Sequence, residues 1–81
     1  MSVAFAGDAI HLAGDCPVED AETLLALLQE NAAAAIDIND CGRLHMAVVQ
    51  VLFAAARPVR GEPANVFVRE WLVPQMLSAT D

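Results

Sequence analysis

Between residues 9 and 55 the apolar pattern changes its period three times, and that alternation constrains the fold more than any other feature of the chain. Ile10 and Leu12 alternate with Ala9 and His11, the two-residue period of a half-buried strand. Val18, Ala21, Leu24, Leu25 and Leu28 then fall on one face of a helix, and Leu27 widens the stripe. Ile36 and Ile38 restore the alternation around Asp37, after which Ala47, Val48, Val51, Leu52 and Ala55 return to helical spacing. Strand, helix, strand, helix within 81 residues leaves room for one small α/β domain, residues 1–81, and no second one.

Local signals fill in the rest. Val3 to Phe5 and Ala9 to Leu12 read as two strands joined at Gly7-Asp8, and Gly14-Asp15 reads as the end of the second. Pro17 suits the first position of the next helix, Glu19, Asp20 and Glu22 favour the positive end of its dipole, and Asn31 suits its C-terminal end. A turn is predicted at Cys41-Gly42, and Arg57-Pro58 closes the second helix. Val59 and Arg60 form a short edge strand before Gly61. A third helix starts near Asn65 and carries Val66 to Leu72, with Pro74 ending or kinking it.

Charge narrows the partners. Four Arg, no Lys and eleven acidic residues give a net charge of -7, which repels phosphate backbones and anionic bilayers and points to a basic surface on another protein. The amino terminus has no basic region followed by a long apolar run, and no stretch approaches eighteen apolar residues, so a cytoplasmic protein without membrane insertion is expected. Cys16 and Cys41 are too few and too far apart for a disulfide framework; both are expected to be reduced and buried.

Asp40, Cys41 and His45 are the residue types of metal and nucleophilic sites. A zinc site generally needs four ligands, or three and an open position, and neither Cys-x-x-Cys nor His-Glu-x-x-His occurs. The spacing of His11 and Cys16 to Cys41 and His45 is not diagnostic. A nucleophilic Cys needs a positioned base, and Gly42 separates Cys41 from a helix that could carry His45. The residues therefore point to no enzyme activity, no metal and no cofactor. His45 has a plainer role, its ring accepting a hydrogen bond from a free N–H at the start of the second helix. Asp37 and Asp40 read as carboxylates at a strand end that are solvated or take loop N–H bonds. Phe67 and Trp71 form a four-residue helical pair, either core or a partly exposed anchor for a partner.

Read together, "IHLAGDCPVEDAETLLALL" and "AAIDINDCGRLHMAVVQVLFAA" resemble the STAS domain of sulphate transporters and anti-sigma factor antagonists, over most of the chain. Ile36-Asp37-Ile38 stands at that family's central strand, and "LHMAVVQVL" stands where Asp-Ser-x-Gly/Ala-Leu opens the next helix. The chain departs there: His45 replaces the Asp, Met46-Ala47 replace the hydroxyl residues, and Val48 replaces the Gly or Ala. The switch positions His45, Met46 and Ala47 therefore cannot take Ser/Thr phosphorylation.

The resemblance implies a mixed sheet of four or five strands with about three helices and no cofactor. It also implies a role as a non-catalytic interaction module in bacterial-type signalling. Its partner would be a kinase-type anti-sigma factor, a chemotaxis or two-component signalling protein, or the ATPase of a lipid-trafficking transporter. The expected contact surface runs from Asp40 through Cys41, His45 and Met46 to Ala47. The alternatives are a domain binding a small ligand or nucleotide, against which stand only four Gly and no phosphate loop, or an accessory transporter subunit. A homodimer covering an exposed sheet edge or an apolar helix face is a further expectation.

Overall fold

A computed structural model of the chain describes residues 2–72 and 74. Its elements run β1 (Val3–Ala6), β2 (Ala9–Cys16), α1 (Glu19–Glu30), β3 (Ala35–Leu44), α2 (Met46–Ala55), β4 (Val59–Arg60) and a π-helical segment (Val68–Leu72). One four-stranded mixed sheet has the order β1-β2-β3-β4, with β1 antiparallel to β2 and the other two pairs parallel. Both parallel connections step the same way across the sheet, so right-handed crossovers place α1 and α2 on the same face. There Val3, Ile10, Leu12, Ile36 and Ile38 meet Leu24, Leu28, Val48 and Leu52 in a single buried cluster. The radius of gyration, 11.0 Å, is close to the roughly 12 Å expected for a compact domain of this length. The opposite face carries a row in which Ala4 lies beside His11, His11 beside Asp37 and Asp37 beside Arg60.

The ends of α1 follow from its sequence with one shift. Pro17 stands before the helix, its carbonyl accepting from the Asp20 N–H at 3.0 Å, and the helix proper starts at Glu19. Asn31 closes it: the backbone N–H and the side-chain Nδ2 both donate to the Leu27 carbonyl, at 3.0 and 2.9 Å. Arg57 completes the cap. Its guanidinium donates to the carbonyls of Leu28, Asn31 and Ala34 at 2.8 to 2.9 Å, satisfying groups that a helix end otherwise leaves without partners. Of the expected stripe, Leu24 and Leu28 are buried in the core, and Ala21 and Leu27 pack half-buried against it. Leu25 faces the groove beside α2, and Val18 precedes the helix, so both stay exposed.

β2 and β3 are longer than their alternation predicts. Gly14-Asp15 does not end β2, which continues to Cys16, and Cys41-Gly42 is not a turn but part of β3. In register, His11 pairs with Asp37 and Ala13 with Asp40, then Gly14 with Cys41 and Cys16 with Leu44, so β3 twice spends one residue more than β2. Simple alternation after Ile36 and Ile38 would turn Asp40 into the core. The first bulge shifts the phase so that Asp40 points out and Cys41 points in. Gly42 permits the close strand contact: a Cβ there would lie 2.5 Å from Asp15 Oδ1 and 3.0 Å from the Gly14 carbonyl carbon. That carboxylate oxygen accepts the Arg43 N–H at 2.9 Å.

After β4, Asn65 opens the last helix by accepting the Val68 N–H on its side-chain oxygen at 3.1 Å. Pro74 is itself helical, and a distortion lies before it, in the π-helical Val68–Leu72. A proline has no N–H to donate and its ring crowds the carbonyl four residues back, and a widened turn relieves both.

Candidate functional site

The expected contact surface divides in two. Asp40 is exposed on β3 opposite Ala13, while Cys41, at 3% exposure, faces the core. His45 and Met46 lie at the surface at the start of α2, and Ala47 is half-buried. His45 plays the capping role read from the sequence: its Nδ1 accepts the Ala47 N–H at 3.0 Å, and its own N–H donates to the Cys16 carbonyl at 2.9 Å. The ring nitrogen that would serve as a base is thus engaged with backbone. The Cys41 thiol donates to the Gly42 carbonyl at 3.4 Å instead of to His45. Among the described residues, no three His, Cys, Asp or Glu side chains gather as a metal site would need. Asp37 accepts the Asn39 N–H at 2.9 Å and lies 3.5 Å from the His11 Nδ1.

Both thiols are held in the protonated form. Burial pushes Cys41 up to about 12, with Cys16 and Asp15 adding to the effect. Burial likewise pushes Cys16 up to about 11, helped by Asp20 and Asp15. A nucleophilic cysteine needs the reverse shift. In the unfolded chain a thiol ionises near pH 8.5, so the unfolded state loses these protons while the folded state keeps them. Their contribution to stability is complete below that pH and is lost as pH rises toward the folded values. Urea titrations should show a level stability from pH 7 to about 8 and a fall of roughly 1–2 kcal/mol between about pH 9 and 10. A thiol reagent at pH 7.5 should label neither cysteine until urea unfolds the chain. Fast labelling of the folded protein would restore the nucleophile.

The surface that does stand out is built around α2. Met46–Ala55 contains no charged residue, yet only Val48, Val49 and Leu52 are buried. Gln50 is its one polar residue and is exposed; a helix this apolar normally lies largely inside a core, yet this one presents apolar residues on both flanks. Toward α1, Ala47, Val51 and Ala54 meet Ala21 and Leu25 across an open groove of about 610 Å³. Toward the last helix, Met46, Val49 and Phe53 meet Phe67 and Trp71 above Leu44, around a cleft of about 260 Å³. Met46, Phe67 and Trp71 are 62 to 64% exposed. The Phe67–Trp71 pair is therefore a surface feature, and Met46 joins it.

The charges differ on the two flanks of α2: Arg43, Arg69 and Glu70 lie on the side of the last helix, while the α1 side is acidic. α1 carries Glu19, Asp20, Glu22 and Glu30 and no base. Arg57, beside the groove, is committed to the carbonyls at the end of α1. Arg60 is paired with Asp8, whose carboxyl is held below its ordinary range by that hydrogen bond and by the arginine's charge. The sequence signal for this surface was the absence of charge from residue 46 to residue 55, more than the Asp, Cys and His that precede it. No protein-family model, curated protein or solved structure matches the chain. No helix among the described residues is long and apolar enough to cross a membrane.

Proposed function

We propose that this domain is a non-catalytic docking module for another protein, with α2 and the cleft of Met46, Phe67 and Trp71 as its contact surface. The observation that carries the reading is an uncharged α2 that leaves most of its residues unburied beside two exposed aromatic rings. Clustered Trp, Phe and Met are the side chains that dominate interface energies, and a stable monomer has little other reason to expose them together. The carboxylates of α1 favour a partner that brings basic residues to the α1 side of an apolar centre. The sequence pattern adds a STAS-like signalling or transport-accessory role, with His45, Met46 and Ala47 at positions that no kinase acting on Ser or Thr can switch. Its partner would then be a kinase-type anti-sigma factor, another bacterial-type signalling protein or a transporter ATPase.

The test uses the partner captured from the native host. Met46→Asp and Trp71→Ser should each weaken the purified complex about 30-fold or more, the effect of losing an interface anchor. Ala13→Ser, at an exposed position of β2, should leave affinity unchanged. Since Met46 and Trp71 contribute little to the core, both variants should melt near the parent temperature. Undiminished binding by both variants would reject the surface.

A further inference from the structure

The other end of the sheet also lacks a partner. β1 is the terminal strand, and among the described residues nothing pairs with its outer edge. Edge strands in stable monomers are usually guarded by charge, proline or a bulge. β1 is Val-Ala-Phe-Ala, with none of these, and its Phe5 remains 41% exposed.

The direction of its peptide groups follows from the hairpin register. Ala6 pairs with Ala9 across the two-residue turn, Ala4 pairs with His11, and the Ser2 carbonyl accepts from the Ala13 N–H at 2.8 Å. Even-numbered residues thus exchange hydrogen bonds with β2, and the N–H and C=O groups of Val3 and Phe5 point outward. Val3 and Phe5 also share the core-side face, because they pair with Leu12 and Ile10.

We propose that β1 pairs antiparallel with β1 of a second copy of this chain, joining two sheets into one of eight strands. With the two-fold axis at Ala4, Val3 of each copy lies opposite Phe5 of the other. The outward peptide groups then meet outward peptide groups, and core-side side chains stay on the core side. A register moved by one residue breaks both conditions. The edge itself carries no charge, so two chains of net charge -7 can meet there without placing like charges in direct contact. Up to about four hydrogen bonds cross such a short junction, which at one per 100–200 Å² corresponds to roughly 400–800 Å², below the size of a permanent interface. The dimer is therefore weak and concentration-dependent. Because α1 packs against β1 and carries only acidic charges, salt strengthens the association by screening α1 from its copy.

Sedimentation equilibrium of the full chain should show a mass rising from 8.6 kDa toward twice that value, with half-association near about 0.1 mM, and rising further with added salt. Ala4 is exposed and sits at the axis, so Ala4→Lys and Ala4→Glu should each hold the chain monomeric while leaving its circular dichroism unchanged. An equimolar mixture of the two should associate again, about tenfold or more tighter than either alone, because unlike charges then face each other. A mass of 8.6 kDa throughout the range to about 1 mM overturns the proposal. So does association that Ala4 substitution leaves intact, a mixture that fails to associate, or a dimer that salt dissolves.

Discussion

Replacing Arg57 with Ala is expected to remove about 2–4 kcal/mol of stability, a large share of what a domain of this size possesses. The guanidinium holds three carbonyls at and beyond the end of α1, those of Leu28, Asn31 and Ala34, and they come from residues 23 to 29 positions earlier in the chain. Hydrogen bonds from a charged donor are stronger than neutral ones, and the carbonyls left behind are only partly open to water. The positive charge also sits at the negative end of the α1 dipole. At roughly 4–8 °C per kcal/mol, the melting temperature should fall by about 8–30 °C. Arg57→Lys keeps the charge but not the planar fork, and should recover no more than about half of the loss. In urea the midpoint should move with little change in slope. A melting temperature unchanged in Arg57→Ala would mean that the clamp contributes nothing.

Gly61→Ala is expected to cost about 2–4 kcal/mol through two separate effects. Gly61 has φ +105°, a backbone region that side chains rarely enter. A Cβ there would also lie 2.6 Å from the Asn39 nitrogen and 2.9 Å from its Cα. Backbone on both sides leaves no side chain free to swing away. The close approach serves the segment that follows: the Glu62 N–H donates to the Asn39 side-chain oxygen at 3.2 Å, Pro63 is buried, and Asn65 then caps the helix bearing Phe67 and Trp71. Gly61→Ala should therefore weaken the proposed docking at the cleft as well as stability. Denaturation and affinity measured on one preparation would show both losses. A variant as stable as the parent would remove Gly61 from the account of how the cleft is positioned.

These two residues also mark what the sequence could and could not convey. Elements set by local period are where the pattern puts them: the hairpin at Gly7-Asp8, the helices ending near Asn31 and Arg57, the edge strand Val59–Arg60 and the helix opening at Asn65. The full length of β3 was hidden, because its bulges break the alternation at Asn39-Asp40, and only the neighbouring strand, with Asp15 reaching the Arg43 N–H, shows why the chain stays extended. Arg57 before Pro58 reads as a helix terminator; that it caps a different helix is information held by α1. Of the candidate site, the capping role of His45 and the apolar surface at Met46 were legible. Cys41 is buried, as expected of a reduced thiol, but it does not join the contact surface, because the bulge shifts the strand's phase by one residue and turns it to the core. The four-residue spacing of Phe67 and Trp71 is the same on a buried or an exposed helix, so spacing alone left their role open.

The position of Trp71 has a spectroscopic consequence. It is the chain's only tryptophan and its ring lies mostly in water. An indole hydrated in the folded and the unfolded chain alike changes its emission wavelength little when the domain melts, so intrinsic fluorescence is a poor thermometer for this fold. The same ring is a direct reporter of occupancy: only something that seats itself on the cleft and displaces that water will move the emission to the blue.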